Sequence, residues 1–261
     1  MSSEDSLFLS HAERVIRIFP DLFWIHSLRD DDLRICWEFR RGFMALKPHV
    51  QPEEDFQKYL RWVHSADFVW LPRDAQGRLT ATAFYKVERR VHEGIACILI
   101  WPEYMYSRSD RRKGIAIAQG FVVALALGMI KAPFGPQYVV GTGYVPSYLA
   151  LCQVTDPVFV AESPTMTSWQ KTLYQALVAA TPGYDPASGV VNMGTIPLAP
   201  RIQPPSDPTL HAAWQAYVTQ NPRWTEGYTC MVFGQIKPGA IGAVLRRLIE
   251  RLQRRSQART L

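Results

Sequence analysis

Six consecutive residues, Arg111, Arg112, Lys113, Gly114, Ile115 and Ala116, are the most chemically suggestive run in this 261-residue chain. Three cations precede a glycine, and a long apolar run follows. A glycine-containing turn that enters a helix presents free backbone N–H groups, and the helix dipole adds positive potential. Arg108 adds further charge. The group suits a pyrophosphate. It would equally serve as a basic helix start with a packing glycine. Glu103 stands eight residues before Arg111, inside the apolar run IACILIWPEYMYS. A carboxyl group in an apolar strand titrates high, which suits a general base near neutral pH. The alternative is that Pro102 ends the strand and leaves Glu103 solvated. Glu88 and Glu93 lie nearer a hairpin tip.

These residues need elements to hold them. The segment before Pro20 reads as a helix, and residues 33–46 read as a strand or buried segment. Pro52 followed by Glu53, Glu54 and Asp55 predicts a helix to about His64, with proline at the first turn and acids at the positive end. Three strand-like runs come next, 68–73, 79–90 and 95–107, joined by turns at 74–77 and 92–94. Pro102 cannot donate to a ladder, so a bulge or a break in pairing is expected there. After the basic loop 108–113, an apolar helix is expected from Gly114. YVVG at 138–141 reads as a strand and 146–153 as one or two helical turns. Ser163-Pro164 predicts a helix start, with Met166, Trp169, Leu173 and Leu177 on its buried face. Residues 182–208 contain seven prolines and read as irregular. Asp207-Pro208 predicts a helix to about Gln220. GYTCMVFGQI, 227–236, reads as a strand, and 238 onward as a basic amphipathic helix.

This order of elements around RRKGIA resembles the GNAT superfamily of CoA-dependent N-acyltransferases. Arg111, Gly114 and Ala116 match that family's Gln/Arg-x-x-Gly-x-Gly/Ala pyrophosphate signature, and the resemblance covers roughly residues 35–155. It implies an α/β (α+β) fold, with a mixed, mostly antiparallel GNAT-like sheet flanked by helices and a C-terminal extension. Residues 1–160 would form the acyl-CoA-binding core and 161–261 the extension, completing the sheet or covering the acceptor site. The implied activity is transfer of an acyl group, acetyl first, from acetyl-CoA or another acyl-CoA to an amine on a small molecule or peptide. The strand before the phosphate loop would splay from the next one. Backbone groups of Met105, Tyr106 and Ser107 would hold the pantetheine arm in the gap, and Arg111 to Ala116 would hold the pyrophosphate. Glu103 would be the base. The family's acid is a tyrosine after the YVVG-like strand, but that position falls near Leu151 or Cys152. Tyr148 takes its place as the candidate, with Tyr144 nearby and core packing as the alternative role. Two other readings of the same resemblance are a binding or scaffold protein that has lost catalysis, and a membrane-peripheral long-chain acyltransferase.

Composition narrows the rest. Hydrophobic residues are 48% of the chain and charged ones 20%, which supports a sizeable core and argues against disorder. The net charge is +6, but residues 246–261 hold six arginines against one acid and carry +5 of it. The body is nearly neutral, so specific nucleic-acid binding is not expected. The basic end could meet a membrane surface through 238–261, or lie solvated. Cys36, Cys97, Cys152 and Cys230 are widely spaced, and the six histidines form no ligand motif, so no metal is expected. The opening MSSEDSLFLS lacks the basic and apolar regions of a secretory signal. The apolar run Gly114–Ile130 has 17 residues with three glycines and Gln119, short of the roughly 20 that a span needs. A cytoplasmic protein is the expectation. The sequence leaves the oligomeric state open.

Overall fold

The computed structural model describes residues 21–107, 110–152, 155, 157–198, 203–236, 239 and 242, with backbone alone for 110–119. The helix expected before Pro20 and the basic helix expected from 238 lie outside the described residues, as do Arg108 and the terminal arginines.

The centre is a long antiparallel hairpin, β4 (Ala81–His92) and β5 (Ile95–Ser107), turning at Glu93 and Gly94 as expected. β1 (Leu22–Trp24) and β3 (Phe68–Trp70) extend the sheet beyond β4. On the other side, β5 pairs in parallel with β6 (Gln137–Gly143). The parallel crossover needs a covering helix. α3 (Asp110–Lys131) supplies it. A Cβ on Gly120 would lie 2.3 Å from the Tyr85 ring, so only glycine lets this helix lie so close to β4. The helix begins at Asp110, not Gly114, so Arg111 to Lys113 belong to its first turn and not to the expected loop.

Three of the strands after residue 161 join the same sheet. β11 (Tyr228–Gln235) lies antiparallel to β6 over six residue pairs. Its far edge pairs with β7 (Val158–Phe159) and with β9 (Val190–Asn192), which in turn pairs with β8 (Tyr184–Asp185). The order is β1-β3-β4-β5-β6-β11-β9-β8, antiparallel except for β5–β6. This is a mixed, mostly antiparallel sheet flanked by helices, as expected. The proline-rich stretch is less irregular than expected. It holds β8, β9 and β10 (Thr195–Pro197), and β10 forms a separate ribbon with β2 (Met44–Leu46).

Alternation along the strands divides the core. Tyr85, Val87, Ile98, Ile100, Val139 and Val232 face α3, α4 (Val145–Cys152) and α6 (Pro208–Gln220). Cys97, Leu99, Tyr138, Val140 and Phe233 face the opposite way, onto α5 (Ser168–Ala179). Phe84 and Val69 face α1 (Asp30–Arg41) and α2 (Pro52–Val63).

Two local expectations need correction. Residues 30–41 are helix, not strand, because Leu33, Cys36, Trp37 and Arg40 fall on one buried stripe and three aspartates stand at the positive end. α5 starts at Ser168, not at Ser163-Pro164. Thr167 caps it, its Oγ1 accepting from Gln170 N at 3.2 Å while Thr167 N donates to Gln170 Oε1 at 2.9 Å. Met166 is buried but precedes the helix. Asp207 caps α6 as expected, accepting from Leu210 N at 2.9 Å.

Candidate active site

β5 and β6 stay paired for three rungs only, Ile98–Ile100 against Gln137–Val139, and then part. Ile98 N donates to Pro136 O at 2.9 Å, on the β6 side. Backbone groups two residues apart in a strand point the same way, so Ile100 and position 102 face β6 too. At 102 the two strands no longer pair. Pro102 therefore lacks an N–H where no ladder partner exists, and proline has no cost there. On its other side Pro102 stays in register with Tyr85 of β4.

The bulge comes two residues later than Pro102 suggested. Glu103 opposes Phe84 and Tyr106 opposes Thr82, so Tyr104 and Met105 together oppose Ala83. Tyr104 has φ +48°, an uncommon conformation for a residue with a side chain. Thr82 Oγ1 donates to Tyr104 O at 3.0 Å and holds the turn. Such bulges bend a strand and re-aim side chains.

The parted strands leave a cleft that opens to solvent. Pro102 to Tyr106 form one wall; Val140 to Tyr144, Ser147 and Leu151 form the other. Glu103 turns into this gap. Its Oε1 accepts from Thr142 N at 3.4 Å, a long bond. A Cβ on Gly141 would stand 3.1 Å from the same oxygen, so the missing side chain at 141 makes room for the carboxyl. Burial pushes the Glu103 carboxyl from its usual 4.5 to about 8, and the Thr142 bond offsets this only in part. Near neutral pH the group is mostly protonated and poised to exchange its proton.

The other expected residues divide. Met105 and Tyr106 line the cleft, whereas Ser107 is buried, opposite Ala81, and does not. Tyr148 does not reach the cleft. Its ring is only 3% exposed, 5.3 Å from the Tyr217 ring, among the residues that face α3. Its position on α4 turns it into the core, so the core-packing alternative holds for it. Tyr144 takes the cleft position, donating from its hydroxyl to Thr195 O at 3.2 Å. Burial raises its pKa, so the phenol keeps its proton. Arg111, Arg112, Lys113, Gly114, Ile115 and Ala116 lie in the first turns of α3, which starts three residues after β5 ends. Glu88 is engaged with Arg90 at 2.6 Å, and Glu93 is exposed at the hairpin tip.

Arg40, Met193 and Thr195 also line the cleft, and the sequence did not point to them. Thr195 opens β10, which pairs with β2, and Met193 lies two residues before it. Arg40 comes from α1 and donates from Nη1 to Asp55 Oδ2 at 2.5 Å and from Nη2 to Oδ1 at 3.4 Å. Trp37 Nε1 donates to the same Asp55 Oδ2 at 2.7 Å. Tyr104 and Tyr106 flank the guanidinium.

No protein-family model matches the chain, and no curated protein is similar to it. Among solved structures, the chain is similar to glucosamine-6-phosphate N-acetyltransferase from Arabidopsis thaliana, at 12% identity and a TM-score of 0.33. The alignment covers 57% of this chain and 96% of that one.

Proposed function

We propose that this protein transfers an acyl group from a coenzyme A thioester to an amine. One observation carries the reading: a carboxyl group with a raised pKa faces the gap where two parallel strands part. The gap would take the thioester arm, in a conformation extended like a strand, against the walls at Met105 and Tyr106. The amine would meet the thioester beside Met193 and Thr195. In the reaction the amine lone pair attacks the thioester carbonyl, and the carbon–sulfur bond breaks. Glu103 accepts the proton that the amine loses, directly or through one water. The departing sulfur leaves as a thiolate, or takes a proton from Tyr144. The pyrophosphate role of Arg111 to Ala116 and a cytoplasmic location belong to this proposal too. Among the described residues, no helix is long and apolar enough to cross a membrane.

The test is native mass spectrometry of the purified protein for a co-purified CoA species, followed by thiol release from acetyl-CoA over a panel of primary amines. Thermal stabilisation by CoA with amine-dependent thiol release is the expected result. Stabilisation without release on any amine would leave a CoA-binding module. No stabilisation by CoA or any acyl-CoA would sink the proposal.

A further inference from the structure

Arg40 is a buried cation that the acyl-transfer chemistry does not use. Its side chain is 6% exposed, it lines the cleft, and its charge is already met by Asp55. The Asp55 carboxylate takes the end of the guanidinium fork, through Nη1 and Nη2. Nε is buried and has no hydrogen-bond partner among the described residues. A guanidinium carries five N–H donors in a fixed plane, and the Nε–Nη2 side is a second edge that matches a carboxylate. Burying a donor without a partner is unfavourable, and native proteins keep few such groups. A cleft-lining Arg with an unpartnered Nε is therefore a candidate contact for whatever fills the cleft.

Charge decides which oxygens fit. Asp55 already neutralises Arg40, so a dianionic phosphate would add two uncompensated charges beside a buried ion pair, which desolvation penalises. A carboxylate adds one. If the same molecule carries an ammonium group toward Glu103, its own charges cancel. Arg40 and Glu103 line the same cleft, and so do Tyr104 and Tyr106.

We infer that Arg40 is a specificity-determining residue, whose unpartnered Nε contributes to binding the carboxylate of an acceptor that presents its amine to Glu103. The acceptor class is thus amino acids, and molecules that combine an amine with a carboxylate. The inference rests on the acyl-transfer reading for the word acceptor, but carboxylate binding can be tested without turnover.

The experiment uses the full chain and the variant Arg40→Lys, which keeps a cation beside Asp55 and removes the Nε edge. The probes are N-acetyl-4-aminobutyrate, its amide, and N-acetylpropylamine, titrated by calorimetry, with N-acetylglycine as a shorter carboxylate. The corresponding free amines are assayed with acetyl-CoA. We expect a wild-type preference of tenfold or more for a carboxylate over both uncharged analogues, and its collapse to near one in Arg40→Lys. Circular dichroism and a cooperative melt confirm that the variant is folded. A variant that fails to fold is replaced by titrating the wild-type protein alone, where equal affinity for carboxylate, amide and alkyl probes overturns the inference. Retention of the preference in a folded Arg40→Lys protein also overturns it. Carboxylate preference without turnover supports Arg40 and defeats the acyl-transfer reading. Turnover without preference does the reverse.

Discussion

Replacing Glu103 with glutamine keeps the shape of the side chain and removes its titration. Two measurements should respond. The folded protein holds the Glu103 proton up to about pH 8, whereas the usual value is 4.5. A folded pKa above the unfolded one gives a stabilising contribution that is complete below the unfolded value. It is lost as pH rises through the window from 4.5 to about 8. Each pH unit in that window is worth about 1.4 kcal/mol, so the loss is on the order of 3–5 kcal/mol, less where solvent reaches the carboxyl. Urea unfolding of both proteins at about pH 5 and about pH 8 reads this directly. The glutamine variant should gain a few kcal/mol on the wild type at the higher pH. Single-turnover acyl transfer is the second readout. The wild-type rate should rise with pH to a limb near 8, and the variant should be flat and slower by roughly 10²–10⁴, with CoA affinity unchanged. Parallel stability curves across this pH range would refute the burial argument. An unchanged rate would refute the base, and a joint loss of rate and CoA affinity would make Glu103 structural.

Gly141→Ala should cut the transfer rate about tenfold or more while leaving the melting temperature nearly unchanged, because the added Cβ crowds the Glu103 carboxyl at 3.1 Å and otherwise makes an ordinary contact with Pro102 O at 3.7 Å. Steady-state kinetics and calorimetry decide it; a normal rate would mean the carboxyl has room to move. Gly227 has φ +84°, and a Cβ there would fall 1.9 Å from Thr195 O. Gly227→Ala should therefore cost about 2–4 kcal/mol in urea unfolding and loosen the cleft wall at Thr195. Gly114→Glu should abolish CoA binding in a folded protein, because it places bulk and negative charge where backbone would approach pyrophosphate. An unchanged CoA affinity would remove the motif from the site.

Local patterns carried most of the element order. The β4–β5 hairpin showed in its β-branched and aromatic runs with a His-Glu-Gly turn between them, and α2 in its proline and three acids. Residues 33–41 misled because Ile35, Cys36, Trp37 and Phe39 favour strands, while the evidence for a helix lay just upstream, in Asp30 to Asp32. The place of β11 left no local trace. Its partners β6 and β9 lie far away in sequence, and pairing register is set by tertiary contacts. The site was legible where one strand carried it. Glu103 stood out as the acid in an apolar run. Tyr148 and Tyr144 could not be told apart, since the rotation of one short helix decides which ring meets the cleft. Arg40 and Thr195 come from elements far apart in the sequence, and only the folded arrangement brings them together.

The interior position of β11 has a consequence for how the chain is made. During synthesis, β6 leaves the ribosome some 90 residues before β11 does. Until then β6, β7 and β9 all lack the neighbour that joins them. β6 in particular offers an open edge, with buried residues at Tyr138, Val139 and Val140, that any other nascent strand could pair with. The hairpin β4–β5 and helix α3 can collapse early, because their contacts are close in sequence. The second half of the sheet cannot. Completion of the fold is thus tied to completion of the chain, and a ribosome that stalls before residue 228 would release a product prone to aggregate.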